Sequence, residues 1–380
     1  MEIVGARVLD ADGVSERPVA IADGLIVDGP LKADRHWDAG GCLLLPGIVD
    51  IHGDAFERQL MPRPGVQFSH NLALIETDRQ LVANGITTAF HGLTLSWEPG
   101  LRSIEAARDF RKALAEMRPR LAADTRLHLR FEIYCLEAVD EVERWIEECA
   151  IDVLAFNDHM EHIVVQVDDP RKLSTYSGRT GLAPAQFIEL MNNVLARKGE
   201  VPAAVERLAA AARKAGLSML SHDDETPEMR KRYADLGCAI SEFPLDRATA
   251  KAARDAGSPV VLGAPNVLRG GSHAGRLAAA DSVREGLCTV LSSDYYYPAP
   301  LHAAFRLVAD GVTSLPEAWK LVSANAAAAV GLADRGEIEP GRRADLIIVD
   351  DRDPAYPRVV ATFVAGKVAY AATDDLRRVA

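Results

Sequence analysis

Short apolar runs recur along this chain at nearly regular intervals, and most of them end in a polar residue. Eight read as strands, at 47–51, 86–90, 127–133, 152–157, 217–221, 238–242, 259–263 and 288–292. Between them lie stretches of helical character, for example Leu72–Asn84, Leu101–Met117, Ala203–Ala215 and Ala274–Glu285. Eight strand–helix units over about 250 residues predict a (β/α)8 barrel, an α/β fold. At Gly85-Ile86-Thr87-Thr88-Ala89 the glycine ends a helix and β-branched residues begin the next strand.

The two chain ends follow a different period. Residues 1–46 place Ile3, Val4, Val8, Val19, Ile21, Ile26 and Val27 between turn signals such as Asp12-Gly13 and Asp23-Gly24. After a helix around Leu315–Val330, strand character returns in Gly336–Val349 and Val359–Ala371. Neither end is large enough to bury a core alone. Residues 1–46 and 335–380 are therefore expected to pair as one small composite β-sandwich domain, flanking a barrel of residues 47–334.

Composition narrows the function classes. An apolar content of 48% and a charged content of 26% are those of a globular protein. The net charge of −12 argues against nucleic-acid or membrane surfaces, because a polyanion is repelled at long range. A small anionic substrate stays open if metal ions and local arginines offset that field. The five cysteines (Cys42, Cys135, Cys149, Cys238, Cys288) are scattered and never in CxxC spacing, which fits reduced thiols in a cytoplasm. Met1 leads directly into Glu2-Ile3-Val4 without a basic and apolar leader, and no apolar run approaches the ~20 residues of a membrane span. The expected location is cytoplasmic, and a homo-oligomer is compatible with all of this.

Candidate chemistry sits at the ends of the strands, where barrel enzymes gather their catalytic groups. The first strand stops in His52-Gly53-Asp54, and a period of two puts both side chains on one side. Later strand ends carry His91, Glu132, Asp158 with His159, His222 with Asp223 and Asp224, Glu242, and Asp294. His52, Asp54, Glu132, His159, His222 and Asp294 form the expected metal set, for one or two divalent ions. Zinc comes first, with manganese or iron as alternatives. Asp294 is the expected catalytic base, placed to take a proton from the attacking water. His91 alone reads as a structural histidine, Glu242 as ligand, base or ion-pair partner, and Asp223 or Asp224 as a residue behind the ligands or a helix cap. Asn266-Val267-Leu268-Arg269-Gly270-Gly271-Ser272-His273-Ala274-Gly275 reads as a Gly-rich loop ahead of a helix, a phosphate cradle with Asn266, Arg269 and His273 as donors. Arg63, in the stiff loop Met61-Pro62-Arg63-Pro64-Gly65, is placed to reach the same mouth.

Pro46-Gly47-Ile48-Val49-Asp50-Ile51-His52-Gly53-Asp54 resembles the first-strand metal motif of the amidohydrolase superfamily. Gly336–Val349 with Gly366-Lys367-Val368 resembles its C-terminal closure. Asp54 departs from the second histidine most members carry. Together with Pro62–Gly65, Ser221–Glu228, Asn266–Gly275 and Ser292–Tyr295, it resembles the diphosphatase subgroup of phosphonate catabolism. That resemblance implies hydrolysis of alpha-D-ribose 1-methylphosphonate 5-triphosphate to the 5-phosphate and pyrophosphate. Asn157–His162 fits the subgroup less well, since a glycine- and proline-containing turn is expected there. The alternative is hydrolysis of a C–N bond, in a cyclic amide or a deaminase-type substrate. A degenerate barrel acting as a partner subunit is a third reading, disfavoured by the intact strand-end residues.

Overall fold

The computed structural model describes residues 1–29, 36–63, 65–271, 277–372 and 377–379. Eight parallel strands form one sheet, labelled here β1 (Ile48–Gly53), β2 (Ile86–Leu95), β3 (Asp124–Glu132), β4 (Val153–Asn157), β5 (Ser218–His222), β6 (Ile240–Glu242), β7 (Val260–Gly263) and β8 (Val290–Ser292). Each pairs with the next in sequence order. The seam between β8 and β1 is closed just past the strands, where Asp294 N–H donates to His52 O and Asp54 N–H to Asp294 O, both at 2.9 Å. This is the expected (β/α)8 barrel.

Alternation decides what each strand face meets. Val49, Ile51, Phe90, Val153, Ala155, Leu220, Ile240, Val261 and Val290 fill the lumen as one cluster. The other face of β3, with Leu127, Leu129 and Phe131, packs on the surrounding helices. The helix of His70–Ala83 begins at Ser69, whose side chain accepts from Leu72 N–H, and the helix of Ile104–Met117 begins likewise at Ser103. Between β4 and β5 the chain makes an excursion through three extra helices, Met160–Gln166, Pro170–Thr180 and Pro184–Leu195, before the helix of Val201–Ala215.

Strands from both chain ends share two further sheets. In one, Leu43–Pro46 lies between Leu346–Asp350 and Arg7–Asp10, with Arg358–Val364 and Lys367–Ala371 beyond. In the other, Arg377–Val379 pairs with His36–Asp38 beside Glu2–Val4, Val19–Ala22 and Leu25–Val27. The six-stranded sheet is apolar on both faces. Leu44, Leu346 and Ile348 face the sandwich interior, whereas Leu43, Leu45, Ile347 and Val349 pack toward the barrel helices. Two covered faces explain why these strands read as unbroken apolar runs. Among the described residues, no helix is long and apolar enough to cross a membrane.

Candidate active site

A cavity of about 300 Å³ opens at the C-terminal mouth of the barrel. His52, Arg130, His159, His222, Asp223 and Asp294 line its floor, with Asn266, Arg269 and Tyr295 at its side. The chain reaches this geometry through local distortions. Between Asp50 and Gly53, β1 carries one residue more than β2, a bulge that re-aims His52. Residues just past three strands, Asp223, Phe243 and Asp294, adopt left-handed backbone with φ of 55°, 54° and 54°. Such strain persists where surrounding contacts enforce it, and it concentrates at functional sites.

His52 and His222 lie nearly parallel, 5.6 Å apart, above the buried carboxylate of Glu242. His222 Nδ1 and Glu242 Oε2 form a 2.7 Å hydrogen bond. His52 Nδ1 approaches Glu242 Oε1 to 2.8 Å without hydrogen-bond alignment, so neither atom has a hydrogen-bond partner. His128 donates from Nδ1 to Ile51 O at 2.9 Å, and its Nε2 stands 3.9 Å from Glu242. Burial opposes the charge on Glu242, but His52 and His128 beside it keep the carboxyl well below its ordinary range. Burial, aided by His52 and Arg130 and opposed by Glu242, holds His128 down to about 4.

Arg130 crosses the floor. Its Nη1 donates to Asp54 Oδ2 and its Nη2 to His222 Nε2, both at 3.2 Å. Glu132, two residues on, is bound to His159 Nδ1 at 2.5 Å. Glu132 lifts His159 to about 9 against the effect of burial. Burial would raise Glu132, but His159 outweighs it and brings the carboxyl to about 2. Burial, with Asp54 nearby, raises Asp294 to about 6, a lift that His52 partly offsets.

Among the described residues, three donor groups each fall within 4.8 Å: His52/Asp54/Asp294, His159/His222/Asp223 and His52/His222/Glu242. These imidazoles and carboxylates suit a borderline divalent ion. His52 Nδ1 and Glu242 Oε1 in the third group, and His128 Nε2 beside it, are buried without a hydrogen-bond partner. Glu132 falls in none of these groups; its oxygens are engaged with His159.

The remaining expected residues are placed as follows. Residues 264–269 form a short helix, and Gly270 caps its C-terminus at φ 76°. The stretch from Asn266 is thus not a loop ahead of a helix, and the helix end it offers is the carbonyl end, unfavourable to an anion. The next described helix is Ala279–Arg284. Both ends of the Asn266 amide are committed to backbone, Nδ2 to Leu277 O and Oδ1 to Ala279 N–H, each at 3.0 Å. Asn266 therefore ties this segment down while lining the cavity, and its second Nδ2 hydrogen is not used by these two bonds. Arg269 is exposed and donates to the Tyr295 hydroxyl at 3.4 Å. Arg63 is exposed on the turn closed by Val66 N–H to Arg63 O, and it does not line the cavity. His273 lies outside the described residues. Asp224 points away from the lumen into a buried knot with Ser221, Ser241 and Arg230. Thr226, not an aspartate, caps the following helix.

Three lumen residues, His128, Arg130 and Phe243, escaped the sequence reading, and Glu242 was left open there. For two of them a signal existed. In β3, Arg126, His128, Arg130 and Glu132 alternate with Leu127, Leu129 and Phe131. In a closed barrel the polar face of such a strand has only the lumen to meet.

The family comparison settles the class. A model described as Amidohydrolase family matches residues 68–370. The chain belongs to the amidohydrolase family. Amidohydrolases are metal-dependent hydrolases, in keeping with the donor groups above. The alpha-D-ribose 1-methylphosphonate 5-triphosphate diphosphatase of Escherichia coli is 34% identical over 323 residues, 83% of this chain and 85% of that protein. An adenine deaminase of Methylobacterium nodulans is 26% identical over 94% of this chain and 57% of its own length. Among solved structures, a Xaa-Pro dipeptidase superposes with a TM-score of 0.66 at 15% identity, covering 98% of this chain and 99% of that one. The 5-methylcytosine deaminase from Klebsiella pneumoniae gives 0.63 at 14% identity, covering 98% of each chain. These last two share the amidohydrolase fold and speak to nothing finer.

Proposed function

We propose that this amidohydrolase cleaves a phosphoanhydride in alpha-D-ribose 1-methylphosphonate 5-triphosphate, giving the 5-phosphate and pyrophosphate. The 34% identity to the Escherichia coli diphosphatase over most of both chains carries this reading. It is supported by the combination of His52-Gly53-Asp54, Ser221-His222-Asp223-Asp224 and Ser292-Ser293-Asp294 at one mouth.

Residues fit to hold a divalent ion are His52, Asp54 and Asp294 on one side and His159, His222 and Asp223 on the other. Such an ion supplies Lewis acidity to the phosphoryl group and to the attacking water. The protein groups do the rest. Asp294, on the cavity floor, accepts the proton of the attacking water at a carboxylate oxygen. Arg130 and Arg269 supply fixed positive charge where phosphoryl oxygens gain negative charge in the transition state.

The test is incubation of the purified, zinc- or manganese-loaded protein with the ribose triphosphate, followed by phosphorus NMR. Pyrophosphate and the 5-phosphate should appear together; orthophosphate alone, or no turnover, rejects the assignment. Asp294→Asn should stay folded and lower kcat by ~10²–10⁴-fold. The adenine deaminase relatives favour a second reading, C–N hydrolysis. Release of ammonia from adenine without pyrophosphate release would select it.

A further inference from the structure

Arg130 occupies an unusual place for a permanent cation: the middle of a donor set that suits a metal. It lies on the lumen face of β3 with 6% of its surface exposed. Its stem passes over Gly92 on β2, where a Cβ would stand 3.3 Å from Arg130 Cδ and 3.7 Å from His52 Nε2. The bare backbone at Gly92 leaves the channel through which the guanidinium reaches the floor. There it donates to one member of each open donor group, Asp54 and His222.

Those two contacts are not equivalent. A carboxylate has two oxygens, so Asp54 can give Oδ2 to Arg130 and still offer Oδ1. A neutral imidazole has one lone pair. His222 carries its proton on Nδ1, hydrogen-bonded to Glu242, so its sole lone pair is on Nε2 and faces Arg130 Nη2. An ion at His159/His222/Asp223 would need that same lone pair and would sit against a fixed positive charge in a partly dry site. The third group, His52/His222/Glu242, is wholly buried and already closed by the His222–Glu242 hydrogen bond; it fixes the rings.

We infer that the centre is built for a single ion, held by His52, Asp54 and Asp294, and that Arg130 stands in for a second ion at His222. This rests on the metal-hydrolase reading above and adds the number of ions and the residue that limits it. Arg130 is thereby a positioning residue for the centre, and its charge is available to an anionic substrate beside the ion.

The experiment counts metal. The metal-free full-length protein is loaded with excess Zn²⁺, freed of unbound ions, and analysed for zinc per chain; Mn²⁺ loading followed by electron paramagnetic resonance reports whether bound ions are magnetically coupled. The expected result is one zinc per chain and an uncoupled manganese spectrum. Arg130→Met, of similar length and uncharged, should raise the count to two and produce coupling, whereas Arg130→Lys should stay at one. His222→Gln should leave the single ion in place, and this arm holds even if Arg130→Met does not fold. Two ions in the unaltered protein, a count of one in folded Arg130→Met, or loss of the ion in folded His222→Gln would each overturn the inference. No bound ion at all would instead bring down the metal-hydrolase reading on which it stands.

Discussion

His91 lies on the face of β2 turned away from the lumen, against Phe56 and Phe110 with ring centroids 5.6 and 6.0 Å away. Neither of its nitrogens has a hydrogen-bond partner. Burial, aided by Arg118, lowers its pKa from 6.5 to about 4. Between those values the unfolded chain binds a proton there and the folded chain does not. Stability is therefore full above the unfolded pKa and declines as pH falls from 6.5 toward 4, by up to ~3 kcal/mol. His91→Leu should flatten this decline, as read from urea unfolding at pH 7 and pH 4.5. Equal losses in the two proteins between those pH values would refute it. The same residue was legible in the sequence as a structural histidine, although the strand was taken to end at residue 90 and β2 runs on to Leu95. Glu242 and Arg130 carry the opposite lesson. Their polarity was visible, but partners such as His52 and His222 come from distant strands and appear only once the barrel closes.

Element by element, all eight barrel strands were legible, because buried parallel strands are short, apolar and bounded by helical stretches. Irregular elements were not. The bulge in β1 depends on pairing with β2, and the short helix at Ala264–Arg269 looked like loop because two glycines follow it. Gly53 shows how such local geometry constrains sequence. A Cβ there would lie 2.7 Å from Asp50 Oδ2, 2.9 Å from Ser293 Oγ and 3.1 Å from the Tyr297 ring. Those first two atoms form the 2.5 Å hydrogen bond that, with Ser293 N–H to Asp50 Oδ1 at 2.9 Å, ties β1 to the turn after β8. The glycine of His52-Gly53-Asp54 is thus required by the seam of the barrel. Gly53→Ala should cost ~1–3 kcal/mol through overpacking. Because His52, Asp54 and Asp294 all flank that seam, zinc affinity should fall with it. A variant that unfolds at the same urea concentration and competes equally with a chelator for zinc would show that the seam tolerates the methyl.

At the scale of the whole molecule, the strand alternation at both chain ends was readable, but their joining was inferred from size and from the superfamily resemblance. What joins them is physical: Leu43–Pro46 is hydrogen-bonded to Leu346–Asp350 across about 300 residues of sequence, and one face of that sheet packs on the barrel helices. Arg335 anchors the junction at the end of the barrel opposite the mouth. Its side chain is 3% exposed; Nη1 donates to Asp124 Oδ2 at 2.7 Å and to Thr88 Oγ1 at 2.8 Å, and the same nitrogen stands 3.7 Å from buried Asp345. Thr88 and Asp124 sit in β2 and β3, while Asp345 directly precedes the strand at 346–350 and bonds Ala365 N–H at 2.7 Å. One guanidinium therefore neutralises carboxylates of both the barrel and the added sheet. Arg335→Met keeps most of the volume but leaves Asp124 with Arg126 as its remaining cation and Asp345 with Arg343. Breaking a buried ion pair from one side costs ~3–5 kcal/mol, and this variant should approach that range. Arg335→Lys should recover only part, since one ammonium cannot reproduce the planar fork. The zinc count should be unchanged in both, because no metal-type donor at the mouth touches Arg335. Thermal unfolding beside zinc analysis separates the cases: a lowered midpoint with full zinc places the effect at the junction, and a midpoint equal to the parent's would show that the barrel and the added sheet hold together without it.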